Sequence, residues 1–220
     1  MTEKTIVTTF LIGSALLGAG LLWYVKLYLP HELTRRYRTS FRAFSRALQL
    51  RYPTHAGKAQ EVLSLSLALA DKIGLEDDSR ERLEMSVWLK DLGLCSLPYQ
   101  LINNKPIEEW TDDETERFRQ HPKVGANMIA QVPSIRDLAE IVADHHTPYG
   151  NNPNAPIEAR IVALTTGFLW HQEQFGTTFA FDHIHAKKGS LYDPELVSHF
   201  AAVIYELHES GGISVPASQA

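Results

Sequence analysis

Five residues in this 220-residue chain have the chemistry of a metal site. They are His55, Asp91, His121 and the adjacent pair His145 and His146, the pair set in "ADHHTPYG" at 143–150. Imidazole with carboxylate suits divalent iron, manganese or zinc. Neighbouring helical residues point about 100° apart, so His145 and His146 share one ion only near a helix end. Pro148 and Gly150 supply that end. Taken singly, each histidine reads as structural or solvated, and the set gains its meaning from its order along the chain. Rival chemistries find no support. There is no Gly-rich phosphate loop, no Ser-His-Asp order, and "TTGFLW" holds no nucleophile arrangement.

The elements that must position these residues all read as helices. "HAGKAQEVLSLSLALADKIG" ends at Gly74, a C-cap. "DDSRERLEMSVWLKDLG" opens on Asp/Ser capping chemistry and stops at Gly93. Thr111 with Glu114 forms a capping box at the head of "TDDETERFRQ". "PKVGANMIAQV", "SIRDLAEIVADHH", "PIEARIVALTTGFLWHQEQF" and "DPELVSHFAAVIYELHE" complete the set. No alternating strand pattern and no repeat is present, so the fold class is all-α. "HIH" at 183–185 reads as a short surface loop, and Trp88, Trp110 and Trp170 as core or rim aromatics.

Ahead of these helices lies a different kind of segment. From Thr5 to Val25 no residue is charged. As a helix that run is roughly 30 Å long, about the thickness of a bilayer's hydrocarbon core. Trp23, Tyr24 and Tyr28 stand where an interfacial aromatic belt would lie. A secretory signal would have a shorter apolar region and a small-x-small cleavage site. A buried core helix is the other alternative, because "GSALLGAG" is small rather than bulky. Only Lys4 precedes the run, whereas Lys26, Arg35, Arg36, Arg38, Arg42 and Arg46 follow it. The positive-inside bias therefore places everything after residue 26 in the cytoplasm, on a single-pass anchor in the inner (cytoplasmic) membrane. Ser14 with Gly18, and Ala15 with Ala19, have the small-xxx-small spacing of close transmembrane helix pairs, compatible with a membrane protein partner or a homo-oligomer.

Pro30 is expected to end the anchor. Leu33, Tyr37, Phe41, Phe44, Leu48 and Leu50 then recur near helical spacing with arginines on the other face. Such a helix either rests on anionic headgroups or packs on the domain that follows. The resulting organisation is 1–29 transmembrane anchor, 30–50 basic amphipathic juxtamembrane helix, 51–209 helical domain and 210–220 flexible tail.

Composition narrows the partners. Hydrophobic residues at 44% and charged residues at 21% describe a globular chain. The net charge of −5 gives no reason to expect a nucleic-acid duplex as partner. With one cysteine, Cys95, no disulfide forms within the chain.

The order His55, "LKDLGL" (89–94), "INNKPIEEWTDDE" (102–114), "HPKVG" (121–125) and "ADHH" (143–146) resembles the HD-GYP branch of the HD superfamily. "APIEARIVALTTGF" (155–168) and "GSLYDPELVSHF" (189–200) extend the resemblance over roughly residues 50–205. It implies an HD-domain-like helical bundle, a metal-dependent phosphohydrolase ancestry and a nucleotide ligand such as c-di-GMP. It also implies that His55 is the first histidine ligand and Asp91 a carboxylate bridging two metals. His121, His145 and His146, with Asp91, would complete one metal site.

The departures fall on one side. Lys90 stands where the pair's histidine belongs, Leu94 replaces a lysine near the reacting phosphate, and Thr166 replaces an aspartate ligand. The GYP signature is absent, with Thr147 in place of a glutamate and Tyr149 a loose echo. One metal thus keeps four ligands and the other loses two. Hydrolysis that clamps phosphoryl oxygens between two ions should then fail or slow severely. A cation about 4 Å from a divalent ion is repelled by several kcal/mol even at an effective dielectric near 20. Lys90 either pairs with Asp91 in place of the lost ion or turns to solvent. The expected function is a membrane-anchored, degenerate HD-GYP-like module with a binding, scaffold or regulatory role and one divalent metal. The alternatives are a metal-dependent phosphodiesterase acting on a cyclic dinucleotide or other phosphoester, and a packing subunit of a membrane complex.

Overall fold

The structure is a computed structural model and describes residues 2–53 and 58–209. His55 and the tail 210–220 lie outside the described residues. The chain divides into two units, one running to Ser40 and the other starting at Phe41.

The first unit begins with α1 (Glu3–Trp23), none of whose residues is buried. Its apolar side chains are not confined to one face, and it lies in Glu3–Arg51, the one helical run among the described residues long and apolar enough to cross a membrane. Tyr28 stacks against Trp23 and Tyr24, with ring centroids 5.9 and 5.4 Å away. Pro30 does not end the helix as expected. A π-helical turn, Tyr24–Tyr28, precedes α2 (Leu29–Arg51), and helix continues through the proline. The wider turn accommodates a ring that cannot donate an N–H and would crowd the carbonyl four residues back.

In the second unit the remainder of α2 buries Phe41, Ser45 and Leu48, spaced four and three residues apart. Phe44 and Leu50, expected on the same apolar stripe, are exposed. There follow α3 (Ala59–Ile73), α4 (Asp77–Leu89), a 3-10 turn (Leu92–Ser96), α5 (Tyr99–Asn104), α6 (Asp112–Arg119), α7 (His121–Ala130), α8 (Leu138–Asp144), α9 (Ile157–Phe175), α10 (Thr177–Ala186) and α11 (Pro194–Glu209). Among the described residues no strand forms, only an isolated bridge between Lys188 and Tyr192.

Several helix ends follow from their residues. Gly74 takes a left-handed conformation (φ 68°), and its N–H reaches the Ala70 and Asp71 carbonyls. Thr111 and Glu114 form the expected capping box. Asp193 Oδ1 accepts from the Glu195 backbone N–H at 2.8 Å and so starts α11. The "HIH" histidines are not on a loop: they ride on α10, where the Ile184 between them is buried.

The core lies where α9 meets α3, α4 and α11. Leu69, Leu83, Ile161, Leu164 and Phe168 are fully enclosed, and Phe168 meets Phe200 edge-on at 5.1 Å. Each such side chain contributes roughly 1.5–3 kcal/mol relative to exposure. The buried Ser66 and Thr165 hydroxyls satisfy each other at 2.9 Å. A smaller cluster of Leu48, Tyr52, Leu94, Leu97 and Ile102, flanked by Trp110 and Phe118, supports the 3-10 turn. That turn carries the chain away from Asp91.

Candidate metal centre

The site begins where α4 stops. Its last helical residue is Leu89, so Lys90 and Asp91 occupy the exit from the helix. Gly93, expected as the stop, has another role. A Cβ there would lie 1.9 Å from the His121 carbonyl oxygen and 2.8 Å from the Gly125 nitrogen. The turn after Asp91 therefore lies backbone against backbone on the first turn of α7. Gly125, the last residue of "HPKVG", serves the same contact: a Cβ there would stand 3.1 Å from the Gly93 nitrogen. This close approach brings Asp91 to His121, whose Nε2 is 4.0 Å from Asp91 Oδ1.

His145 and His146 reach the same place from the end of α8. Their ring centroids lie 4.1 Å apart, and those of His121 are 5.4 and 5.3 Å from them. One ligating atom from each of the three histidines falls within 4.8 Å of the others. The helix end that reconciles neighbouring side chains is the one expected from Pro148 and Gly150. It is braced by Asp144, a role invisible in the motif. Thr147 Oγ1 donates to Asp144 Oδ1 at 2.8 Å and Asn152 Nδ2 to Oδ2 at 3.1 Å, which ties down the loop after the pair.

Backbone carbonyls fix the tautomers. His121 Nδ1 is 2.8 Å from the Phe118 carbonyl, and His145 Nδ1 is 2.6 Å from that of Val142. A carbonyl only accepts, so each Nδ1 carries the proton and each Nε2 presents a lone pair. Second-neighbour hydrogen bonds of this kind orient metal-ligating histidines. His145 Nε2 is buried and has no hydrogen-bond partner among the described residues. A buried polar nitrogen left that way is costly unless something accepts its lone pair. The donor set, three imidazoles beside a carboxylate, therefore fits a divalent ion.

Electrostatics keep His145 and His146 in their ligating form. Burial pushes the His145 pKa well below its ordinary 6.5, and His146, His121 and Lys90 add to this against an opposing bond to Val142. His146 is pushed down to about 3, first by desolvation and then by the charges of His121 and Lys90. His146 as a residue is exposed to solvent, which softens that shift.

A pH dependence follows. With folded pKa values below 6.5, the unfolded chain takes up protons first as the pH falls. The stability is complete above about 6.5 and drains away toward the folded values, with a slope of about 1.4 kcal/mol per pH unit for each proton. Thermal melts in chelator should therefore stay level from pH 7.5 to about 6.5 and fall from there to pH 5, and the fall should be shallower in His145→Gln. A melting temperature constant across that range rules this out.

Lys90 does not turn to solvent. Its side chain is 5% exposed, and Nζ lies 2.7 Å from Asp91 Oδ2. Both residues line a pocket of about 410 Å³ with His121, His146, Thr166 and Trp170. Leu94, Ile107, Phe118, Leu191 and Tyr192 make much of its wall apolar. Ile107, Phe118, Leu191 and Tyr192 were not legible as site residues, because nothing in their spacing distinguishes them from core, whereas Leu94 was placed here by the resemblance. Thr166 Oγ1 is buried with no hydrogen-bond partner among the described residues.

Tyr192 completes the pocket wall. Burial raises its pKa to about 12. Its hydroxyl lies where a side chain on Gly167 would project: a Cβ there would stand 2.3 Å from Tyr192 Oη and 3.0 Å from the ring. Gly167→Ala is therefore expected to displace Tyr192 and to destabilise by about 1–3 kcal/mol. Adding Tyr192→Phe, which removes the nearest atom, should restore part of the loss in denaturant melts. Equal losses in the single and double variants would place the strain elsewhere.

An all-α domain with a cluster of three histidines, two of them buried, beside a carboxylate at a helix exit defines the class. The HD-domain family model matches residues 42–196, and the chain belongs to that family. HD domains bind divalent metals. Among curated proteins the chain is similar to the cyclic di-GMP phosphodiesterase response regulator RpfG of Xanthomonas campestris pv. campestris (strain 8004). The two are 26% identical over 183 residues, covering 76% of this chain and 48% of that protein. The chain thus spans about half the length of this curated relative.

Proposed function

We propose that this protein is a membrane-anchored HD-domain module that holds one divalent ion of iron, manganese or zinc on Asp91, His121, His145 and His146. Its hydrolytic chemistry is impaired, and it acts by binding, scaffolding or regulation. The observation that carries this reading is the buried Lys90–Asp91 pair beside the three histidines. The carboxylate that would serve two ions already has an ammonium on one oxygen. When bound, a divalent ion supplies Lewis-acid polarisation of an oxygen on a pocket ligand. The chain's own residues hold the rest: Asp144 steadies the loop, and the carbonyls of Phe118 and Val142 fix the rings. A pocket with apolar walls beside the histidine cluster would, with the ion bound, accept a nucleotide or another phosphoester.

The anchor is α1, with the domain on the cytoplasmic side as the flanking charges direct. A membrane protein partner or a second copy of the chain is the expected contact of that helix.

The full-length chain in detergent, analysed for metal and assayed for c-di-GMP hydrolysis with added iron or manganese, tests the proposal. One ion per chain and no turnover is the expected result. Turnover that His121→Ala abolishes would overturn it. That outcome would favour the second reading, a metal-dependent phosphodiesterase, which the likeness to RpfG supports.

A further inference from the structure

We infer that the Lys90 ammonium is a tethered cation that takes the place of a second metal ion beside Asp91, so that the site admits one divalent ion and excludes another. The inference rests on the reading that the histidine cluster holds an ion, and extends it to what limits the count.

The carboxylate of Asp91 is divided between two sides. Oδ2 receives the Lys90 ammonium at 2.7 Å, while Oδ1 faces His121 Nε2 at 4.0 Å. Neither residue can exchange its partner for water easily, because their side chains are only 5% and 10% exposed. An ammonium has three N–H donors and no lone pair, so it cannot ligate a metal. Its charge also opposes any divalent ion placed against Oδ2. Another donor on the pocket wall is no better. Thr166 offers a neutral hydroxyl, buried and without a hydrogen-bond partner among the described residues. One cation and one carboxylate sum to zero, which leaves the three imidazoles to meet a single ion. The lysine also holds Asp91 in a fixed orientation, so Oδ1 is presented to the histidines without a second metal to turn it. Lys90 is in this sense a positioning residue.

The test counts ions. The full-length chain in detergent is stripped with chelator and titrated with Mn²⁺. Bound metal is measured per chain by elemental analysis, and paired ions are detected by the spin-coupled electron paramagnetic resonance signal. The parent is compared with Lys90→His, Thr166→Asp and the double variant. The parent and Thr166→Asp are expected to hold equal numbers. Lys90→His is expected to gain a second, weaker ion with Thr166 retained, and the double variant to hold one full ion more than Thr166→Asp, with the coupled signal. No gain on replacing Lys90 overturns the inference, as does a full gain in Thr166→Asp with Lys90 present. His145→Ala reports on the cluster separately. If the parent binds no more Mn²⁺ than His145→Ala, the one-ion reading fails, while the difference between the parent and Lys90→His still decides the role of the lysine. Should the double variant fail to fold by circular dichroism, Lys90→Gln with Thr166→Asp removes the ammonium at similar volume and is expected to show the same gain at lower affinity.

Discussion

Gly93→Ala is expected to lower the melting temperature of the helical domain by roughly 10 °C, a cost of about 3 kcal/mol or more. The methyl group has nowhere to go. Its three nearest atoms are the His121 carbonyl oxygen at 1.9 Å, and the Gly125 nitrogen and His121 carbonyl carbon at 2.8 Å. All three are backbone, so no side chain can swing aside. Relief requires the 3-10 turn to move off α7, which separates Asp91 from His121 and opens the small cluster under Leu94 and Leu97. The variant should therefore lose Mn²⁺ affinity as well as stability. Gly74→Ala makes the control: its Cβ would meet nothing within 4 Å, but its φ is 68°. That substitution should cost only about 1–2 kcal/mol, the strain of a left-handed alanine, and leave metal binding unchanged. Differential scanning calorimetry with a parallel Mn²⁺ titration separates the two. A Gly93→Ala chain that melts within a degree or two of the parent would show that the contact is not tight.

The same glycine shows what a single sequence carries and what it withholds. Local chemistry was legible. The Gly74 cap, the Thr111–Glu114 box and the uncharged run at the N-terminus depend on neighbours in the chain, and each element is where those neighbours put it. The meeting of His121, His145 and His146 was expected only through the resemblance that their order along the chain carries, and their ligating atoms fall within 4.8 Å of one another. Long-range constraints were not legible. Gly93 read as a helix stop because the residue that forbids its side chain lies 28 positions away, in a segment packed against it only after folding. Pro30 read as a terminus because a π-helical turn that accommodates it has no compositional mark. His183 read as part of a surface loop, yet its ring lies 3.8 Å from that of His171 on the preceding helix. The Lys90 side chain had two rotameric destinations of similar local standing. Only the enclosed geometry around Asp91 selects the pair over solvent.

That pair carries the second large effect. Asp91→Leu is expected to destabilise the domain by about 3–5 kcal/mol, because it leaves a buried ammonium without its partner. Lys90 then sheds its proton or draws water into the pocket, and either response weakens the packing around Leu89 and Leu94, both nearly inaccessible to solvent. Lys90→Leu alone should also destabilise, since it leaves the carboxylate unpaired in the same surroundings. The double variant, Lys90→Leu with Asp91→Leu, removes both charges and fills the space with apolar atoms. It should recover most of the stability, because a buried ion pair replaced whole by hydrocarbon is often neutral or better. The coupling between the two positions, read from urea melts in chelator, is expected to be about 2 kcal/mol or more. Additive losses would mean that the 2.7 Å contact contributes nothing of its own. Metal binding must part company with stability in this cycle. Asp91→Leu and the double variant both lack the carboxylate that faces His121, so both should bind Mn²⁺ poorly, although only one of them is unstable. A double variant that regained both properties would show that the three histidines suffice for the ion, and would leave Asp91 as no more than a counter-charge for the lysine beside it.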